Sequence, residues 1–188
     1  MAAPDTTIDR NTMSQATQQA VPTGTWSADR IHSTVGFAVP YMAGTFQGTF
    51  SDFEARLSDG ALRGSAEVAS VEVKDPNLST HLQSPEFFDA ERFPQLSFQA
   101  NEISRSGDDL TIAGELTLKG HTEPVEIIGH INDPAPDPYG GERLGLQLEA
   151  KVDRTSFGLR WNNPLPSGDP ALANEVTIVV DLQLVKEN

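Results

Sequence analysis

From Gly24 onward, apolar and polar positions alternate with a period of two, the pattern of a strand with one buried and one wetted face. Leu96, Phe98 and Ala100 fall on one side, with Ser97, Gln99 and Asn101 on the other. Leu110, Ile112, Leu116 and Leu118 alternate with Thr111, Glu115 and Lys119. Between these runs, Ser106, Gly107, Asp108 and Asp109 predict a hairpin turn. The pattern recurs in Val125, Ile127 and Ile131, in Leu144, Leu146, Leu148, Ala150 and Val152, and in Val176, Ile178, Val180, Leu182 and Leu184.

Near the start, Thr25 to Asp29 and then Val35, Phe37 and Val39 predict short strands. Phe46 and Phe50 share a face, but Phe53, Ala55 and Leu57 take the opposite parity. That three-residue step predicts a β-bulge near Ser51 and Asp52. Ser65 to Val73 alternates more weakly. One segment reads as helical: Asp75 and Pro76 form a cap and first-turn pair, and Leu78, His81 and Leu82 share a face at i, i+3 and i+4. Asn132 to Glu142 and Thr155 to Glu175 read as long loops, the second a lid candidate because it carries Phe157, Trp161 and Leu165.

Many strands in chain order predict an all-β fold, a closed up-and-down antiparallel barrel of about eight strands with one short helix against it. Periodicity alone leaves a packed β-sandwich as the alternative. The length of 188 residues suits one domain. Residues 1–21, rich in Thr, Gln, Asn and Asp, read as a polar disordered tail, and 22–188 as the barrel domain.

A net charge of −14 repels phosphate backbones and anionic surfaces, which argues against nucleic acid as a partner. The absence of cysteine excludes disulfides, thiolate catalysis and Cys-based metal sites. No apolar run resembles a signal-peptide core or an integral membrane segment, so a cytoplasmic location is expected, with a periplasmic or secreted one as the alternative.

Several segments together resemble the YceI family of lipid-binding barrels. They are Trp26, Asp29, His32, Ser33 and Phe37; the block HLQSPEFFDAERFPQLSF from His81 to Phe98; Gly114 to Val125, with Leu116, Thr117, Leu118, Gly120 and Pro124; and Arg154, Phe157 and Gly158. The resemblance implies a lipocalin-like barrel that holds a polyisoprenoid or similar long-chain lipid, often as a homodimer. The net charge disfavours long-range capture of a pyrophosphate, which leaves a neutral isoprenoid quinone or prenol as the ligand class. No other cofactor is expected.

The apolar strand faces nominate Phe37, Val39, Phe46, Phe50, Phe98, Leu116, Leu118, Ile127, Leu146 and Leu148 as the lumen wall. Leu82 and Phe87 join them from the helical block, and Phe157 and Trp161 from the lid candidate. For each of these, plain core packing is the competing role. His32, Ser33, His81 and Arg154 lie in the segments that carry the resemblance and are the head-group candidates, with Arg160 and Trp161 as lid contacts.

The histidines at 32, 81, 121 and 130 lack metal-site spacing, and no GxSxG elbow or phosphate-cradling glycine loop is present. Binding is therefore favoured over catalysis. The enzyme alternative is a cyclase or isomerase acting on the lumen lipid with His32 or His81 as acid or base. A third reading is an adhesion or stress-response module with an incidental cavity.

Overall fold

The computed structural model describes residues 19–188. Its strands are β1 (Thr25–Ala28), β2 (Thr34–Tyr41), β3 (Gly44–Phe50), β4 (Phe53–Ser58), β5 (Ala61–Glu67), β6 (Val71–Glu72), β7 (Gln95–Ser106), β8 (Asp109–Leu118), β9 (His121–Pro136), β10 (Glu142–Asp153) and β11 (Glu175–Lys186). The single α-helix among the described residues is α1 (Pro76–Gln83), where Asp75 accepts from the Asn77 amide as an N-cap and Pro76 fills the first turn.

Every pairing is antiparallel. The ring runs β1–β4–β5–β7–β8–β9–β10–β11 and closes where β11 pairs with β1, giving a closed barrel of eight strands. β11 also pairs with β2, β2 with β3, and β3 with β6. Thus β1 and β2 are two halves of one interrupted barrel strand, and β3 and β4 are two halves of the next. With that reading, the meander follows chain order all the way round.

The parity change at Ser51 and Asp52 is present, but the device differs from a one-residue bulge. The strand breaks there, and Phe50 and Phe53 are both buried. The bend faces a 3-10 turn at Val68–Ser70: Ser51 N donates to Ser70 O at 3.1 Å, and Glu67 N donates to Asp52 O at 2.9 Å. The same turn ends the strand expected over Ser65 to Val73. The loop expected from Asn132 to Glu142 is mostly strand, because β9 continues to Pro136 and pairs with β10. Its prolines are tolerated because β8 reaches only as far as His130, which leaves that edge of β9 without a partner strand.

Of the expected tail, residues 1–18 lie outside the described residues. Gln19 N donates to Arg105 O at 3.1 Å, and Val21 packs against the core, so the chain is docked before β1 begins.

The interior divides along the barrel axis. At the end carrying the β7–β8 and β9–β10 turns, Trp26, Leu57, Ile112, Ile131, Leu144, Leu146 and Leu184 are buried against one another as a solid plug. The other end carries α1, the β8–β9 turn and the segment between β10 and β11, and there the interior stays open.

Candidate functional site: an apolar cavity in half of the barrel

The open half encloses a cavity of about 290 Å³ with an almost wholly apolar lining. That is the small end of the range for ligand sites, roughly 300–1,000 Å³. Its wall comes from all around the barrel: Phe37 and Val39 of β2, Phe46 and Phe50 of β3, Leu96 and Phe98 of β7, Leu116 and Leu118 of β8, Val125 and Ile127 of β9, Leu148 of β10, and Ile178 and Val180 of β11. Inward parity alone puts these side chains in the lumen.

The mouth is built by the block after α1. Phe88 N donates to Leu82 O at 3.0 Å, and Ser84 O accepts from Phe87 N and Asp89 N, so the chain folds back and delivers Phe87 and Phe88 to the barrel. The ring of Phe88 lies 6.2 Å from Phe37 and 6.0 Å from Phe50. Lys119 Nζ donates to Pro85 O at 2.8 Å, which clasps the block to the β8–β9 turn. At Gly120 in that turn, φ is +76° and a Cβ would sit 2.7 Å from the Phe93 ring, so only glycine fits.

His81, Phe87 and Trp161 meet at the mouth. The imidazole stands edge-on to both rings, with centroids 5.0 Å from Phe87 and 5.4 Å from Trp161, and its Nε2 lies 2.7 Å from Glu86 Oε2. Leu78 and Leu82 share the cavity-facing side of α1 with His81.

The segment between β10 and β11 closes over this cluster as expected of a lid, and one buried cation organises it. Arg154 is 6% exposed. Its Nε donates to Ala173 O (2.8 Å), Nη1 to Leu159 O (2.7 Å) and Trp161 O (2.9 Å), and Nη2 to Leu172 O (3.4 Å) and Asn174 Oδ1 (3.3 Å). Those bonds use all the N–H donors of a guanidinium. Burial pushes the guanidinium pKa down, opposed by the charge of Asp153. The lid is further tied to β2 and the turn after it: Ala173 N donates to Pro40 O at 3.0 Å, and Met42 N donates to Ala171 O at 2.8 Å.

The sequence-derived site residues divide accordingly. Phe37, Val39, Phe46, Phe50, Leu82, Phe87, Phe98, Leu116, Leu118, Ile127, Leu148, Phe157 and Trp161 all line the cavity, as do His81 and Arg154. Leu146 points inward but is buried in the plug, because its position along β10 sets it below the cavity floor. His32 and Ser33 do not reach the lumen. They sit where the first barrel strand is interrupted: the half-exposed His32 Nδ1 is 2.8 Å from Asp29 Oδ2, and Ser33 Oγ accepts from Gln183 N at 3.0 Å. Both stabilise the break between β1 and β2. Arg160 is exposed and outside the lining. Arg154 lines the cavity, but its donors are spent on the lid, which leaves none to offer a head group.

Several further wall residues lie outside the sequence-derived set. Val176, Ile178, Val180 and Leu182 carried the alternation that could have nominated them. Phe88, Leu159 and Leu172 had no periodic signal, because loops bring them in. Among the described residues, no group of three or more His, Asp or Glu side chains is placed to hold a metal ion, and no helix is long and apolar enough to cross a membrane.

A model of the YceI-like domain matches residues 26–184. Protein YceI of Salmonella newport (strain SL254) is 31% identical over 164 residues, covering 83% of each chain. The crystal structure of Burkholderia cenocepacia BcnA superposes with a TM-score of 0.71 at 21% identity, covering 85% of this chain and 99% of that one. A polyisoprenoid binding domain from Saccharophagus degradans, implicated in plant cell wall breakdown, superposes with a TM-score of 0.65 at 11% identity, covering 86% of this chain and 98% of that one.

Proposed function

The chain belongs to the YceI-like family, and from that premise together with its half-open barrel we propose that it binds a long-chain apolar ligand in the lumen and carries or stores it. The observation that carries this reading is the cavity: inward side chains from around the ring stop short of filling the barrel on one side of a well-packed plug. An apolar chain entering that space gains roughly 0.8 kcal/mol for each CH₂ removed from water, before ordering costs.

A polyisoprenoid or isoprenoid quinone fits the lining, and the structural likeness to a polyisoprenoid binding domain supports that class. The polar end of such a ligand would lie at the mouth beside His81, the candidate head-group residue whose ring borders the cavity. Carriage is favoured over chemistry because the lining offers few polar side chains, and most donors near it are already engaged.

Denaturing extraction of the purified protein followed by mass spectrometry tests the proposal. An apolar chain should co-purify, because a long chain held among apolar walls is released slowly. Recovery of no lipid, together with failure to bind prenols, quinones or fatty acyl chains in titration, would overturn it. Conversion of an added prenol to a new product would favour the cyclase or isomerase alternative at His81.

A further inference from the structure

Five glycines of the described strands have inward parity; Gly44 is exposed at the rim beside the β2–β3 turn, and four lie within the wall: Gly48, Gly64, Gly114 and Gly129. At three of them a neighbour occupies the vacated room. A Cβ would lie 2.6 Å from Phe37 at Gly48, 2.5 Å from Phe98 at Gly114, and 2.9 Å from Leu148 at Gly129. Gly64 is different. Its Cβ would meet only the Glu54 carbonyl, at an ordinary 3.5 Å, and its φ lies outside the left-handed region.

Neither backbone conformation nor close packing therefore requires glycine at position 64. Glycine inside a strand sacrifices packing and backbone entropy, and it marks places where a ligand or another backbone comes close. The Glu54 carbonyl stands at an ordinary contact distance and does not crowd this space, and Gly64 borders the cavity.

The surroundings enlarge the gap. The cross-strand partner of Gly64 on β4 is Ala55, another small inward residue, and its partner on β7 is Phe98. The Phe98 ring leans over Gly114 on β8, away from β5, and so leaves the Gly64 side open. At this spot the lumen reaches the strand backbone, since outward-facing Glu54, Arg63 and Ser65 also border the cavity. One residue pair nearer the plug, Leu62 lines the cavity beside Ala100.

We infer that Ala55 and Gly64 form a lateral notch near the cavity floor that takes a side branch or branched end of the bound apolar chain, making Gly64 a determinant of ligand width. This rests on the lumen-binding reading and adds to it a residue that selects a branched chain over a straight one. A straight polymethylene chain leaves the notch empty, whereas a methyl-branched chain fills it and gains contacts there.

The test is a competition titration of farnesol against the straight-chain alcohol of equal main-chain length, using delipidated protein as wild type, Gly64→Ala and Gly64→Val. Thermal melting checks the fold of each. Wild type should prefer the branched alcohol, and the preference should shrink at Gly64→Ala and vanish at Gly64→Val through about a tenfold loss for farnesol alone. Ala55→Leu, which fills the notch from the opposite strand, should do the same. Equal losses for both alcohols, or an undiminished preference in Gly64→Ala and Ala55→Leu, would overturn the notch while leaving lumen binding intact. Failure of wild type to bind either alcohol would overturn lumen binding, and the notch with it.

Discussion

Arg154 Nη1 donates to the main-chain oxygen of Trp161 at 2.9 Å, so the cation at the end of β10 holds in place the backbone that presents the indole at the cavity mouth. The side chain works on the ligand site through the lid. Replacing Arg154 with Met would leave several carbonyls of the lid segment without donors, at a cost of about 3 kcal/mol. Urea melts should show that loss, and hydrogen exchange should show faster opening of amides in residues 159–174. Unchanged protection in that segment would contradict the clip.

Leu146 and Leu148 are inward neighbours on β10 with different tasks, because the plug ends between them. Leu146→Ala should destabilise by about 2–5 kcal/mol and leave ligand capacity alone. Leu148→Phe should keep the fold and reduce the apolar ligand bound per protein. If both variants changed stability and capacity in the same proportion, the division of the interior would be wrong.

The acid limb of stability should depend on Asp29. Its carboxyl accepts from Arg143 Nη1 at 2.7 Å and lies 2.8 Å from His32 Nδ1, and these contacts, Arg143 first, hold its pKa well below the usual carboxylate range. A depressed folded-state pKa stabilises the fold fully above the unfolded value of about 3.9, and that contribution is lost as pH falls toward the folded value. Asp29→Asn should therefore cost stability at neutral pH, and the difference from wild type should narrow below about pH 4. A difference that stays constant from neutral to acid pH would rule out this linkage.

His81 borders the cavity, whereas the other head-group candidates are either outside it or fully engaged. His81→Phe should preserve hydrocarbon binding while weakening an alcohol-headed chain several-fold, the scale of one lost hydrogen bond. Parallel titrations with a prenol and its parent hydrocarbon make the comparison. Equal affinity changes for the two would remove His81 from the head-group site.

In its own terms, the sequence determined which face of each strand is apolar. Period-two alternation is local, so the sequence alone assigns Phe98, Leu116, Leu118 and Leu148 to the interior. The helix start at Asp75 and Pro76 and the turn between β7 and β8 were legible for the same reason: capping and turn chemistry involve neighbours a few residues apart.

Depth along the barrel axis was decided by the tertiary structure. Leu146 and Leu148 share parity and residue type, and only the stagger of β10 against β9 and β11 puts one in the plug and the other at the cavity. Pro134 and Pro136 read as loop because their tolerance depends on an unpartnered strand edge, a long-range fact. His32 and Ser33 were misassigned because the interruption between β1 and β2 turns them away from the lumen. Arg154 looked like a ligand contact until its donors met lid carbonyls from Leu159 to Leu172, partners that no spacing rule connects to it. Parity is a property of adjacent residues, whereas depth, edges and the saturation of a buried cation depend on contacts between segments far apart in the chain.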